Sequence, residues 1–156
     1  MKLSARARYG TRVMVELASA YAERAISVRR LAQDQRLSVK YLERIMADLK
    51  AAGLAKAVRG VRGGYRLAFP PERIRVGDIL RALEGRLSIV ECVEHPEECP
   101  LREQCPTRQV WVEMGRALNR IAERTTLRDL VRGSAGKGRR RRPDGKRRTR
   151  GGASTG

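Results

Sequence analysis

The sequence contains few of the residues on which most enzymes and secreted proteins depend. It has one histidine, one tryptophan, one phenylalanine and three cysteines in 156 residues. A single histidine leaves no candidate catalytic triad, and no phosphate-binding glycine loop is present, so an enzyme is not expected. An odd number of cysteines fits a disulfide framework poorly and favours metal ligands or reactive thiols.

Long apolar runs are also missing. No run approaches the roughly 18 residues that a membrane helix needs. The N-terminal sequence MKLSARARYGTRV lacks the apolar segment of a secretion signal. We therefore expect a cytoplasmic protein with no membrane partner. The length of 156 residues is enough for about one domain plus an appendage.

The charge of the chain is strongly positive, with 35 Lys and Arg against 17 Asp and Glu, a formal net charge of +18. Residues 133–156 hold nine Lys or Arg, one Asp and no Leu, Ile, Val or aromatic residue. This composition predicts a disordered basic tail, which either binds polyanions without sequence preference or only keeps the protein soluble. Residues 1–132 are basic on their own, so a nucleic-acid partner is expected without the tail.

Apolar residues at helical spacing predict three helices near the N-terminus. The first spans residues 4–22. Ser27 and Ser38 are of the residue type that caps the second and third helices, and only a tight turn at residues 36–37 separates those two helices. Gly53 is expected to end the third helix.

Residues 54–69, LAKAVRGVRGGYRLAF, have the alternation and the central glycines of a β-hairpin. We call this segment the wing. Helix, short helix, tight turn, helix and basic hairpin predict a winged helix-turn-helix DNA-binding domain over residues 1–71. The expected fold class is mainly α with a small β-hairpin.

The second half of the chain is expected to connect and pair the domains. Residues 72–91 predict a helix at 76–84 and a short strand at 87–90, and residues 92–105 form a loop that holds every cysteine, here called the cysteine loop. Residues 106–132 predict a long dimerisation helix, with Pro106 in its first turn, and a short final helix with a capping box at residues 126–129. We expect a second copy of the chain, rather than the N-terminal domain, to cover the apolar stripe of Val110, Trp111, Met114, Leu118 and Ile121.

The third helix has the side chains of a DNA-reading surface. Lys40 and Arg44 can donate to guanine or to phosphate, and Glu43 can accept from cytosine, which indicates sequence discrimination. A solvated charged helix face is the alternative. At the wing tip, Arg59 and Arg62 lie among glycines that allow close approach to the DNA backbone. Further phosphate contacts are expected from three arginines of the first helix, Arg6, Arg8 and Arg12.

Five segments together resemble the Rrf-type winged-helix regulators, the group that includes IscR, NsrR and CymR. They are MKLSARARYGTRVMVELA, SVKYLERIMADLKAAGL, VRGVRGGYRLA, VGDILRALEG and the stretch of three cysteines followed by tryptophan. The resemblance covers residues 1–132. It implies a homodimeric transcription factor that binds a palindromic operator, in which Ser38, Tyr41, Glu43 and Arg59 read DNA. Our own expectation is that the protein acts as a repressor. The resemblance also implies that Cys92, Cys99 and Cys105 hold an iron–sulfur cluster.

The chain departs from that family pattern at three places. The gap between Cys92 and Cys99 is six residues where the family usually has five. Arg108 stands where IscR-like sequences place a ligand histidine, and Arg8 stands where the nitric-oxide sensors place an acid. The resemblance therefore carries over three ligands and leaves the fourth open.

The residues of the cysteine loop allow three kinds of chemistry. Three thiolates suit an iron–sulfur cluster, with [2Fe–2S] expected over [4Fe–4S] and with His95, Glu97, Glu98 or a group of the partner chain as the fourth ligand. Cys92, His95, Cys99 and Cys105 also form a complete tetrahedral set for zinc. The third possibility is a metal-free loop whose thiols are oxidised or nitrosylated. Cys105 lies just before a predicted helix N-terminus, which favours its thiolate.

Overall fold

The computed structural model describes residues 3–61, 63–85 and 87–135. Within these ranges the chain is mainly helical with one antiparallel hairpin, as predicted. Two single turns of 3-10 helix lie at Pro71–Arg73 and Pro96–Glu98. The helices and strands are α1 (Ala5–Ser19), α2 (Val28–Gln35), α3 (Val39–Ala51), β1 (Ala55–Val58), β2 (Gly64–Leu67), α4 (Val76–Glu84), α5 (Glu91–Glu94), α6 (Arg108–Arg124) and α7 (Leu127–Ala135).

Serine side chains begin the first three helices. The hydroxyl oxygens of Ser4, Ser27 and Ser38 each accept a hydrogen bond from the backbone N–H three residues later, at 3.1–3.3 Å. These bonds satisfy N–H groups that have no partner within the helix. The predicted caps at Ser27 and Ser38 are confirmed, and α1 ends at Ser19, three residues before the expected end.

The turn between α2 and α3 depends on one residue in the left-handed conformation. Arg36 has a φ of 56° and is the one non-glycine residue with positive φ in the described chain. This turn lets α3 pack across α1 and α2 on a single core. The largest fully buried side chains of that core are Met14, Leu17, Leu31, Leu42, Ile45, Met46, Leu49, Leu67, Ile74, Ile79 and Leu127.

The wing follows α3 directly and is attached to the domain at its base. Gly53 ends the helix with a φ of 72°, as expected. The two strands pair antiparallel with Ala55 opposite Leu67. Tyr65 of β2 also exchanges two backbone hydrogen bonds with Ile26, at 2.9 and 2.8 Å, so the connection between α1 and α2 continues the sheet on the far side.

The end of the folded chain returns to the N-terminal domain. The backbone N–H of Leu127 donates to Ile74 at 2.9 Å, and Leu127 itself is fully buried in the common core. Thr126 and Asp129 cap α7 reciprocally: Asp129 accepts from the Thr126 N–H at 2.9 Å, and Thr126 accepts from the Asp129 N–H at 3.2 Å. The predicted capping box at residues 126–129 is confirmed.

Three details of the second half differ from the sequence expectations. Residues 87–90 form no strand, because the carbonyl of Leu87 accepts from the Asn119 side chain of α6 and no neighbouring strand is available. Pro106 precedes the N-cap Thr107 and so lies outside the first turn of α6. Helix α7 continues to residue 135, beyond the expected start of the basic tail, and residues 136–156 lie outside the described ranges.

None of the helices in the described part of the chain combines the length and the hydropathy that a membrane span requires.

Candidate DNA-binding surface and cysteine loop

Helix α3 buries one face and exposes the other. Leu42, Ile45, Met46 and Leu49 are fully buried, which is the core face that the sequence predicts. Side chains of the first two turns project away from that face. Ser38, Val39, Lys40, Glu43 and Arg44 are exposed there. An exposed, charged beginning of a second helix after a tight turn is the arrangement with which helix-turn-helix proteins enter the major groove.

Tyr41 differs from its neighbours on α3 because it is half-buried. Its ring meets Tyr9 of α1 edge to face, with ring centroids 6.3 Å apart and an interplanar angle of 89°. The guanidinium carbon of Arg12 lies 5.8 Å from the centroid of the Tyr9 ring. The sequence pattern does not single out Tyr9. Its ring restricts the orientation of Tyr41, so α1 contributes to the shape of this surface through packing.

The three arginines of α1 have different surroundings. Arg6 forms an ion pair with Asp48 of α3, so an acid of the domain already neutralises it. Arg8 is exposed, and Arg12 is exposed beside Tyr9. Their predicted role in phosphate binding therefore stays a prediction, and Arg8 and Arg12 are the two whose charge is not matched by an acid in the described structure.

The wing projects its tip into solvent. Arg59 is exposed, Val61 is fully exposed, and Gly60 has a φ of 109° that only glycine adopts easily. Arg62, the second predicted wing contact, lies outside the described residues. The tip thus presents a guanidinium next to a turn whose backbone can approach another surface closely.

A cation pair across the wing strands adds to this surface. Lys56 of β1 is directly opposite Arg66 of β2, and both side chains are exposed. Directly opposed like charges destabilise an antiparallel pair by a few tenths of a kcal/mol to about 1 kcal/mol. The sequence alternation places Lys56 on the outer face, but only the register shows that it faces Arg66.

Ion pairs neutralise some basic residues of the described chain and leave others without an acidic partner. Arg30, Arg75, Arg81 and Arg128 pair with acids on α2, on α4 and α6, and on the turn after the wing. No described carboxylate forms an ion pair with the basic residues of the exposed α3 face and the wing, namely Lys40, Arg44, Lys56, Arg59 and Arg66. These five cations therefore lack counterions among the described residues, as do others such as Arg8 and Arg12.

The cysteine loop folds as two short turns before α6. Cys92 lies in α5, Cys99 follows the 3-10 turn Pro96–Glu98, and Cys105 precedes α6; all three are free, half-buried thiols. Cys92, His95 and Cys99 line one pocket of about 270 Å³ together with Glu91, Glu98 and Pro100. The loop thus brings two of the predicted sulfur ligands and the candidate imidazole to one pocket.

Cys105 has a different environment from the other two thiols. Its Sγ lies 3.4 Å from Oγ1 of Thr107, the N-cap residue of α6, and it does not line the pocket of Cys92 and Cys99. The Thr107 hydroxyl, with backbone N–H groups of Thr107 and Arg108 and the Arg108 charge, lowers the pKa of Cys105. The lowered pKa agrees with the expected preference for the thiolate at Cys105, and the hydroxyl of Thr107 is its main cause.

Two side chains of α6 donate hydrogen bonds to backbone carbonyls in the cysteine loop and just before it. Arg108 donates from Nη1 to the carbonyl of Cys92 at 3.0 Å. Asn119 donates from Nδ2 to the carbonyl of Leu87 at 3.2 Å, just ahead of the loop. The cysteine loop and the segment before it are therefore tied to two separate turns of α6.

The donor atoms of the cysteine loop are of the chemical types that bind iron–sulfur clusters. Three thiols without disulfide partners and an imidazole are the ligand types that such clusters take. A second group of donors surrounds the imidazole: the ligand atoms of His95, Glu97 and Glu98 lie within 4.8 Å of one another, all exposed. Carboxylates are hard ligands and suit magnesium or calcium better than a sulfur-ligated iron.

Comparison with known proteins decides the family of this chain. The model of the Rrf2 family, described as iron-dependent transcriptional regulator, matches residues 3–133. The chain belongs to the Rrf2 family. Protein rrf2 of Nitratidesulfovibrio vulgaris is 42% identical over 132 residues, which cover 85% of this chain and 88% of that protein.

Solved structures of Rrf2 regulators share the fold. CymR, the global cysteine regulator of B. subtilis, has a TM-score of 0.74 and 38% identity over 85% of this chain and 98% of that chain. IscR of T. potens has a TM-score of 0.73 and 34% identity over 88% of this chain and 91% of that chain. This Rrf2 protein is accordingly a winged-helix, DNA-binding transcription regulator and not an enzyme. The predicted family and fold class are confirmed.

Proposed function

We propose that this Rrf2 protein is a homodimeric repressor that binds a palindromic operator, and that an iron–sulfur cluster held by Cys92, Cys99 and Cys105 controls its affinity for DNA. The observation that carries the DNA-binding part is the set of cations without counterions on α3 and the wing. Phosphate groups of a duplex would neutralise them and would relieve the repulsion between Lys56 and Arg66.

Within this surface the side chains take different roles. Lys40 and Arg44 donate to guanine edges or phosphates, and Glu43 accepts from cytosine. Ser38 and Tyr41 contact DNA beside them, with Tyr41 held by Tyr9. Outside α3, Arg59 at the wing tip enters the minor groove, and Arg62 is proposed to do the same from a position that the structure does not describe.

Dimerisation is supported by an apolar stripe and an apolar groove on the same chain. On α6, Val110, Met114 and Ile121 are 52%, 47% and 66% exposed. A groove of about 680 Å³ runs along α1, α4 and α7, lined mainly by Leu3, Ala7, Val15, Val76, Leu80 and Leu130. Burial of this apolar surface by a second copy would pair two α3 helices for two half-sites.

The cysteine loop connects the proposed signal to the DNA-binding domain. Cys92, Cys99 and Cys105 would hold the cluster, which would supply a centre sensitive to oxygen or nitric oxide. The loop continues directly into α6, and Arg108 ties the carbonyl of Cys92 to that helix, so a change in the loop would shift α6 and alter the spacing of the two α3 helices. The cluster shifts the balance between the two arrangements by the difference in its affinity for them.

A cluster-free thiol regulator is the second candidate. It is supported by the similarity to CymR, a cysteine regulator, and by the lowered pKa of Cys105, which lies apart from the other thiols. Zinc on the same residues, or sequence-independent binding driven by residues 133–156, are further alternatives that the experiments below separate.

Footprinting tests the DNA-binding proposal. We expect protection of one palindrome that persists when residues 136–156, the part of the basic tail beyond α7, are removed. Arg44→Ala should weaken operator binding by about 1–3 kcal/mol, because it removes a base-reading or phosphate contact. Lys50→Ala is the matched control: it removes one cation from the last turn of the same helix, and operator affinity should be nearly unchanged. Equal losses in both variants would contradict sequence-specific reading.

Anaerobic purification tests the cofactor. We expect a brown protein whose visible absorbance is bleached by nitric oxide or oxygen, with a fall in operator affinity on bleaching. A colourless protein with one equivalent of zinc would support the zinc alternative and overturn the cluster. A colourless, metal-free protein whose DNA binding responds to oxidants would support the thiol regulator.

A further inference from the structure

We propose that His95 is the fourth ligand of the iron–sulfur cluster, so that the cysteine loop supplies the complete ligand set from one subunit. This inference rests on the proposed function, since it concerns the cluster proposed above. Its main observation is that the imidazole lines the same pocket of about 270 Å³ as Cys92 and Cys99, which no other described nitrogen donor does.

The backbone holds His95 between the two turns that carry these cysteines. The His95 N–H donates to the carbonyl of Glu91 at 2.8 Å, which closes α5. The His95 carbonyl accepts from the N–H of Glu98 at 3.1 Å, which opens the following turn. Because hydrogen bonds tie the residue on both sides, the imidazole stays next to the pocket with no rearrangement of the chain.

The surroundings of the ring leave one nitrogen free to coordinate. A carboxylate oxygen of Glu97 lies 3.5 Å from Nδ1 of His95. A carboxylate on that side favours the tautomer with the proton on Nδ1 and the lone pair on Nε2. The side chain is 48% exposed, so the ring has room to turn toward the pocket.

Arg108 is unsuited to the ligand position. A guanidinium has no lone pair to give to a metal and keeps its proton at any ordinary pH. Here it donates to the Cys92 carbonyl, so it orients the backbone of a ligand residue. We assign Arg108 as a positioning residue and His95 as the ligand.

This assignment divides the ligand set between two places. Cys92, His95 and Cys99 line one pocket, whereas Cys105 lies at the start of α6 beside Thr107. Coordination by Cys105 therefore joins the pocket to α6. Cys92, His95 and Cys99 would hold the cluster at the pocket, and the bond from Cys105 would connect it to α6.

The test uses the fact that His95 is the only histidine in the sequence. Tag-free protein is purified anaerobically from cells given either natural-abundance or ¹⁵N-labelled histidine, and the reduced cluster is examined by pulsed EPR. We expect a strong coupling to ¹⁴N that becomes a ¹⁵N coupling in the labelled protein. A brown protein whose spectrum does not change with the label overturns the assignment while leaving the cluster in place.

Two variants extend the test. His95→Cys should keep the brown colour, lose the nitrogen coupling and lower the reduction potential, because a thiolate replaces a neutral imidazole. Arg102→Ala, which removes another nitrogen-bearing side chain of the same exposed loop, should keep the coupling. Persistence of the coupling in His95→Cys overturns the assignment. Colourless, iron-free wild-type protein overturns the cluster, and with it this inference.

Discussion

Lys56 lies directly opposite Arg66 across the two strands of the wing, so two exposed cations face each other. This pair costs the free protein stability and becomes favourable only beside an anion. The register of the two wing strands therefore indicates that the partner of this surface is an anion.

Lys56→Glu should change folding and DNA binding in opposite directions. The new Glu–Arg pair replaces a repulsion, and we expect the free energy of unfolding to rise by about 0.2–1 kcal/mol. Operator affinity should fall, because a phosphate contact is replaced by a negative charge. Chemical denaturation and operator titration measure the two effects. A stabilised variant with unchanged affinity at every salt concentration would show that the outer wing face does not touch DNA.

Gly64→Ala should detach the wing from the domain. A Cβ at position 64 would lie 2.2 Å from the carbonyl oxygen of Ile26, a backbone atom that cannot move without breaking the hydrogen bonds to Tyr65. We expect a lower melting temperature and weaker operator binding. Gly133→Ala is the control, since nothing lies within 4 Å of its Cβ and alanine favours the helix there. If both variants melt alike, the contact with Ile26 is not needed.

Ser38→Ala and Ser27→Ala separate helix capping from DNA contact. Each removes one hydroxyl that accepts a backbone N–H, so each should lower the free energy of unfolding by about 1 kcal/mol. Only Ser38→Ala should also weaken operator binding beyond what its stability loss explains. Urea denaturation and fluorescence titration with operator DNA give the two quantities. Equal operator affinities would limit Ser38 to a structural role.

Met114→Lys should break the dimer. Met114 belongs to the exposed apolar stripe of α6, and a charge buried in the proposed interface has no partner there. Glu113→Lys places the same side chain one residue earlier, at an exposed polar position, and should leave the dimer intact. Sedimentation equilibrium distinguishes the two. A monomeric wild type, or a dimeric Met114→Lys variant, would contradict the proposed interface.

Asp129→Asn should reduce stability at neutral pH and leave it unchanged in strong acid. The hydroxyl and N–H of Thr126 lower the pKa of Asp129, so the native state favours the carboxylate. Its contribution is present above the ordinary aspartate pKa of about 3.9 and is lost as the pH falls through the lower native value. Urea denaturation at a series of pH values, at fixed protein concentration, measures the difference. A gap that is independent of pH would mean that charge is not involved.

Much of the fold could be predicted because its signals are local. A serine cap such as Ser38 and a helix-ending glycine such as Gly53 act within a few residues, so they can be recognised without knowledge of the rest of the chain. The predicted strand at residues 87–90 is absent because strand formation depends on residues distant in sequence. A strand needs a neighbour, and the side chain of Asn119, distant in sequence, takes the carbonyl of Leu87 instead.

The features of the candidate site also fall into those that the sequence indicates and those that depend on tertiary contacts. The sequence indicated the exposed charges of α3 and the three thiols, since residue type and spacing are sufficient for both. It did not indicate that Tyr9 orients Tyr41, that Asp48 neutralises Arg6, or that Arg108 holds Cys92. Each of these contacts joins residues of different elements, and the packing of the helices decides which of many possible partners meet.

The amino-acid sequence by itself determined the elements of the winged domain, the family and the chemical types available in the cysteine loop, because periodicity, capping and composition act over short stretches. Only the tertiary structure decided which cations lack a counterion, and which thiols share a pocket with His95 while Cys105 stays beside Thr107. Ion pairing and coordination depend on distances through space, and those distances are set when the helices pack on their common core.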